Sequence, residues 1–277
     1  MNKNIFQSFF KEYAKNVDNA NQQQFWQLSD DIILSIIKKN LPKNITLKNI
    51  ILDAGGGTGR WIIALSKIFK AHFILYDISK SMLERAKNNI KKANLQNKVE
   101  ILQGDLIKMD KIANHSVDFI ISIYNPISFV DQKEKMVNEL YRILKRNGIL
   151  LIMGQGFFNA LTSKINNGIS LKDFNLLEKT SKVSWNDRVP ALNVFSKQSL
   201  ESLLKSKQFK IIKSYGVPLL AQPGAEDFDP KNVLCSQISK ALKNKTLYKK
   251  ILSLEMKYNS LDNLVDKGMN ILTVAKK

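Results

Sequence analysis

Short apolar runs alternate with amphipathic segments along most of this chain, and the alternation predicts strands and helices in turn. Residues 48–52 end in Ile50-Ile51-Leu52, the unbroken apolar run of a strand buried on both faces of a parallel sheet. Trp61, Ile62, Ile63, Leu65, Ile68 and Phe69 then recur at helical spacing. The pairing repeats: strands over 72–77, 99–102, 117–123 and 149–153, with a helix to about Lys92 and another marked by Met136, Leu140, Ile143 and Leu144. Asn147-Gly148 closes that last helix. A helix over 196–204 and strands over 209–215 and 269–275 complete the series, which predicts an α/β fold.

The ends and one interior stretch depart from this rhythm. Residues 1–47 read as helices, carrying Phe6, Phe9, Phe10 and Tyr13 on one and Phe25, Trp26, Leu28, Ile32, Ile33, Ile36 and Ile37 on another. Asp30 and Asp31 suit early turns of the second, and Pro42 marks its end. Between Gln155 and Pro190 the periodicity weakens, as in a segment inserted between core elements. Residues 231–261 are helical in pattern. One domain spanning 1–277 is expected, made of a helical prefix (1–47), a core (48–153), an insertion (154–195) and a C-terminal part (196–277).

Composition narrows the classes. The chain has 277 residues, 44% of them hydrophobic, enough for a full core. No run approaches the roughly 18 apolar residues of a membrane span, and the N-terminus lacks a signal-peptide pattern, so a cytoplasmic location is expected. A single cysteine, Cys235, excludes an internal disulfide and a cysteine-cluster metal site. The net charge of +19 keeps nucleic acid in view. Only five of the 43 basic residues are arginine, however, and the lysines are scattered without aromatic interleaving.

The densest chemistry lies in Asp53-Ala54-Gly55-Gly56-Gly57-Thr58-Gly59-Arg60, where an apolar strand turns into a helix. Such a turn brings main chain against a ligand, which residues without a Cβ permit. A dinucleotide fingerprint requires glycine where Arg60 stands, and no Gly-Lys-Ser/Thr follows to form a phosphate loop. Asp53-x-Gly55-x-Gly57-x-Gly59 instead resembles motif I of the class I S-adenosylmethionine (SAM) dependent methyltransferases. Asp77-Ile78-Ser79-Lys80-Ser81-Met82-Leu83 looks like their continuation, as does residues 140–150 for their helix, turn and fifth strand. The resemblance implies a Rossmann-like, doubly wound sheet of seven strands with an antiparallel last strand, and SAM as cofactor.

It also implies roles. Asp53, Gly55 and Gly57 belong to the cofactor loop, and Asp77 accepts the ribose hydroxyls, with Ile78 and Met82 beside it. Asp105 faces the adenine amine and the Leu106 amide a ring nitrogen. Tyr124-Asn125-Pro126 follows the fourth strand where the methyl is transferred, so Tyr124 and Asn125 are candidates for positioning the acceptor; Asn125 suits a plain Asn-Pro turn as well. Tyr13 and Trp26 are candidates for a lid over the cofactor, and Trp185 and Arg188 for the acceptor pocket.

His72 and His115 fall at strand starts, away from the ligand edge of such a sheet. An amine or carboxylate acceptor needs no strong base; a hydroxyl acceptor needs one, for which Tyr124, Asp187, Glu226 and Asp227 are available. No metal cluster is visible. A small-molecule acceptor is the expected substrate. A looser similarity of the C-terminal half to enzymes that methylate carboxymethoxyuridine in tRNA makes RNA the alternative. A SAM-binding module without catalysis is the third reading.

Overall fold

The computed structural model describes residues 9–11, 13–14, 17–18, 21–185, 189–229 and 234–277. After helix α1 (Gln24–Asn40) come β1 (Ile50–Ala54), α2 (Arg60–Ser66), β2 (His72–Asp77), α3 (Lys80–Lys92), β3 (Val99–Gln103) and β4 (Val117–Ser122). A short α4 (Pro126–Phe129) and α5 (Lys133–Ile143) lead into β5 (Leu144–Gly156). The chain then forms α6 (Phe157–Asn166), α7 (Leu171–Thr180), β6 (Lys182–Val183), β7 (Leu192–Phe195), α8 (Lys197–Lys205) and β8 (Lys210–Val217). It closes with α9 (Gln237–Ala241), α10 (Lys245–Tyr258) and β9 (Asn270–Lys276).

Strands β3, β2, β1, β4 and β5 lie side by side in parallel, and β9 runs antiparallel between β5 and β8. These seven form the expected doubly wound sheet with its antiparallel last strand. Among the described residues the sheet has nine strands rather than seven, because the insertion adds β7 and β6. The reason lies in β5, which runs past the expected residue 153. Its partner β4 ends opposite Ile152, so the backbone edge beyond is open, and β7 pairs there with Gln155 and Gly156.

Alternating residues send the two sheet faces into separate cores. Ile51, Phe73, Leu75, Phe119, Ile121 and Leu151 pack with α1, α2 and α3. Leu52, Ile74, Ile120, Leu150 and Ile152 pack against α5 and α8. Ser79 caps α3 through its hydroxyl, and Ser196 closes a capping box on α8. Asp30 and Asp31 depart from expectation. Because α1 begins at Gln24 they sit in mid-helix, where the macrodipole offers little. They act as tertiary pins instead: Asp30 receives Arg60 and the Tyr124 hydroxyl, and Asp31 the Tyr248 hydroxyl at 2.6 Å. Phe6, Asp187 and Arg188 lie outside the described residues.

Candidate functional site

The glycine turn is strapped to the end of β2. Gly55 N donates to Tyr76 O at 2.8 Å, and Gly57 N to Asp77 Oδ2 at 2.9 Å. Asp77 Oδ1 takes the Ser79 amide at 2.8 Å, so the carboxylate joins the turn to the start of α3. Both glycines have positive φ, 82° and 54°, which side-chain-bearing residues adopt at a cost. Their surroundings differ. A Cβ on Gly55 would lie 2.6 Å from Pro126 Cγ, so the turn is pressed against the loop after β4. A Cβ on Gly57 would meet only Met82 Sδ, at 4.0 Å; its main chain faces open space.

That space is a cavity of about 2250 Å³ beyond the carboxyl ends of the parallel strands. Among the residues named from sequence, Gly55, Gly57, Asp77, Ile78, Met82, Asp105 and Leu106 line one side. Asp53 does not reach it. Its carboxyl is buried under the turn with Oδ2 unpartnered, and burial, reinforced by nearby Asp77 and opposed by Arg60, pushes its pKa up to about 8. Burial raises Asp77 as well, against the Ser79 and Gly57 amides that favour its charge. Asp105 turns an oxygen to the Ile107 amide, 3.2 Å away.

The other side is aromatic and amide-bearing. Tyr13, Trp26, Tyr124, Asn125 and Trp185 all line it. Trp26 is buried, donates its indole N–H to Asp227 O at 2.6 Å, and meets Tyr124 and Phe228 edge-on. Tyr13 stacks on Phe9 and is 43% exposed. Tyr124 and Asn125 both have positive φ, 60° and 69°, a strained pair at the end of β4.

Geometry corrects the reading of Tyr124 as a base. Its hydroxyl donates to Asp30 Oδ1 at 2.5 Å, and burial with that neighbouring carboxylate raises its pKa far above the ordinary phenol value. It is an anchor for α1, and its hydroxyl is spent on that helix. Asp227 is equally committed, receiving the Gly224 amide and the Ser239 hydroxyl. Glu226 is not among the residues lining the cavity. His72 opens β2, and His115 sits against Leu144 O and Lys277, both at the far edge of the sheet as expected.

Arg60, Gln155 and Asn270 are among the cavity residues to which the sequence reading gave no role. Arg60 opens α2, pairs with Asp30 and lies 4.9 Å from the Tyr124 ring centre. A cation at a helix N-terminus opposes the macrodipole, and that was the available signal. Gln155 and Asn270 are buried amides ending β5 and starting β9; their signal was a polar residue at the end of an apolar run.

Comparison with known proteins agrees with this architecture. Residues 51–148 match the family described as a methyltransferase domain. A demethylmenaquinone methyltransferase of Leptospira interrogans is 28% identical over 148 residues, covering 53% of this chain and 59% of that protein. The chain thus spans a little over half the length of such curated relatives. A proposed SAM-dependent methyltransferase from Methanococcus maripaludis superposes with a TM-score of 0.52 at 29% identity, over 74% of this chain and 88% of that one. A geranyl diphosphate C-methyltransferase from Streptomyces coelicolor, solved with S-adenosyl-L-homocysteine, shares the fold at a TM-score of 0.55 and 10% identity, over 89% and 80%. Residues 51–148 thus match a methyltransferase domain, and the glycine turn and sheet order around them are those expected of a SAM-binding methyltransferase fold.

Proposed function

We propose that the protein transfers the methyl group of SAM to a small molecule held on the aromatic and amide side of the cavity. The observation that carries this is the cavity's size and division. At about 2250 Å³ it exceeds the roughly 300–1,000 Å³ of a single-ligand pocket, and its acidic, glycine-bearing side differs from its aromatic side. Cofactor and acceptor fit together in it.

The residues suit SAM. Gly57 presents bare main chain to the cavity, Asp77 keeps its carboxylate at the rim for the ribose hydroxyls, and Asp105 and Leu106 stand where the adenine edge would lie. Bound SAM supplies a sulfonium-activated methyl that needs no further activation. The chain's own residues then have three tasks. Asp77 and the glycine turn orient the cofactor; Pro126, pressed on Gly55, holds the β4 loop at the junction of the two sides; Trp26 and Phe228, with the α1 pins Asp30, Tyr124 and Arg60, exclude water.

The test has two arms. Asp77→Ala should weaken SAM binding about 100-fold by calorimetry, the loss of two hydrogen bonds to a carboxylate. Label from isotopically marked SAM, incubated with the full chain and cell extract, should enter small molecules; label confined to tRNA, or entering neither pool, overturns the acceptor assignment.

A further inference from the structure

Among the amides that line the cavity, Asn125, Gln155 and Asn270 have their orientations fixed by groups that have no choice. The Val217 carbonyl can only accept, and it takes Asn270 Nδ2 at 3.0 Å. Asn270 Oδ1 must therefore face the other way, where it receives Asn125 Nδ2 at 2.7 Å. That leaves Asn125 Oδ1 buried without a partner. The second anchor is the Trp185 indole, which can only donate, and it reaches Gln155 Oε1 at 3.2 Å. Gln155 Nε2 has no partner among the described residues. Gln155 and Asn270 are opposite each other in the antiparallel pairing of β5 and β9, so their side chains stand next to one another on one face. All four residues line the cavity.

We propose that Gln155 and Asn270 select the methyl acceptor, Gln155 Nε2 donating to a carbonyl and the Asn270-oriented Asn125 Oδ1 accepting from a hydroxyl or N–H, so that the substrate is a neutral molecule carrying both groups. This rests on the methyltransferase reading above. A charged acceptor is disfavoured because amides cannot neutralise a buried charge. Of the cavity's described charges on this side, Arg60 is engaged with Asp30, Asp131 with Lys182, and Asp227 with Gly224 and Ser239, while Lys11 is exposed to solvent. An unpartnered buried amide oxygen is costly, and a ligand donor removes that cost.

The experiment uses the full chain saturated with S-adenosylhomocysteine and three single-ring probes, neutral salicylamide, anionic salicylate and the slightly smaller cationic benzylamine, ranked by saturation-transfer NMR at millimolar concentration. Salicylamide should bind about tenfold more tightly than either charged probe. Gln155→Glu keeps the Trp185 contact and the shape but removes the donor, and should abolish that preference while S-adenosylhomocysteine affinity is unchanged. Trp185→Phe, which frees Gln155 to rotate, should reduce the preference part-way. Equal binding of the three probes, no binding of salicylamide, or an unchanged ranking in Gln155→Glu overturns the inference. Failure of S-adenosylhomocysteine itself to bind overturns the cofactor reading instead.

Discussion

Asp53 makes the fold's stability depend on pH in a way that a single isosteric change removes. The carboxyl is fully buried beneath the glycine turn, one oxygen has no partner, and Asp77 lies close, so the pKa rises from 3.8 to about 8. Between those values the folded chain holds a proton that the unfolded chain releases. Stability therefore falls as pH rises through this window and levels off above the folded pKa. With one proton of difference the slope is about 1.4 kcal/mol per pH unit, or about 2.7 kcal/mol from pH 5 to pH 7. Asp77 and Asp30, also raised by burial, add slope of the same sign; Asp18 and Glu139, lowered by Arg85 and Arg142, contribute stability that is lost only as pH falls. Asp53→Asn leaves these in place. The difference between wild-type and variant urea-unfolding free energies, taken at half-unit steps from pH 5 to pH 8, should change by about 3.5 kcal/mol across the range. Parallel curves would show that Asp53 titrates normally and that its burial is relieved by something the geometry does not reveal.

Two other substitutions test how the cavity is framed. Gly55→Val places a Cβ within 2.6 Å of Pro126 at a φ of 82°, and should cost about 2–4 kcal/mol of stability together with most SAM affinity, read by thermal unfolding and calorimetry. Wild-type values for both would mean that turn and loop are not in contact. Glu255 on α10 is fully buried and accepts the amides of Leu219, Leu220 and Ala221 at 2.8–2.9 Å, fixing the segment that leads to Gln222 and Pro223 at the cavity wall. Glu255→Ala should cost about 3 kcal/mol and speed hydrogen exchange at 219–221, with the exchange of β1 and β2 unchanged apart from the global shift.

Much of this protein was legible in the residue pattern because the responsible physics is local. Short apolar runs bounded by turns suit strands covered on both faces, a turn of alternating glycines lets main chain approach a ligand, and the acids at the end of β2 and after β3 were marked by the resemblance to the methyltransferase motifs. None of that requires knowing which distant residues meet. What tertiary structure decided are pairings across long separations. Asp30 and Asp31 look like helix-start residues and serve as pins to Arg60, Tyr124 and Tyr248. The insertion contributes two strands because β5 outlasts β4, a mismatch of lengths visible only once they are paired. Gln155 and Asn270 stand 115 positions apart and become neighbours through strand register alone, a pairing that no local pattern of residues announces.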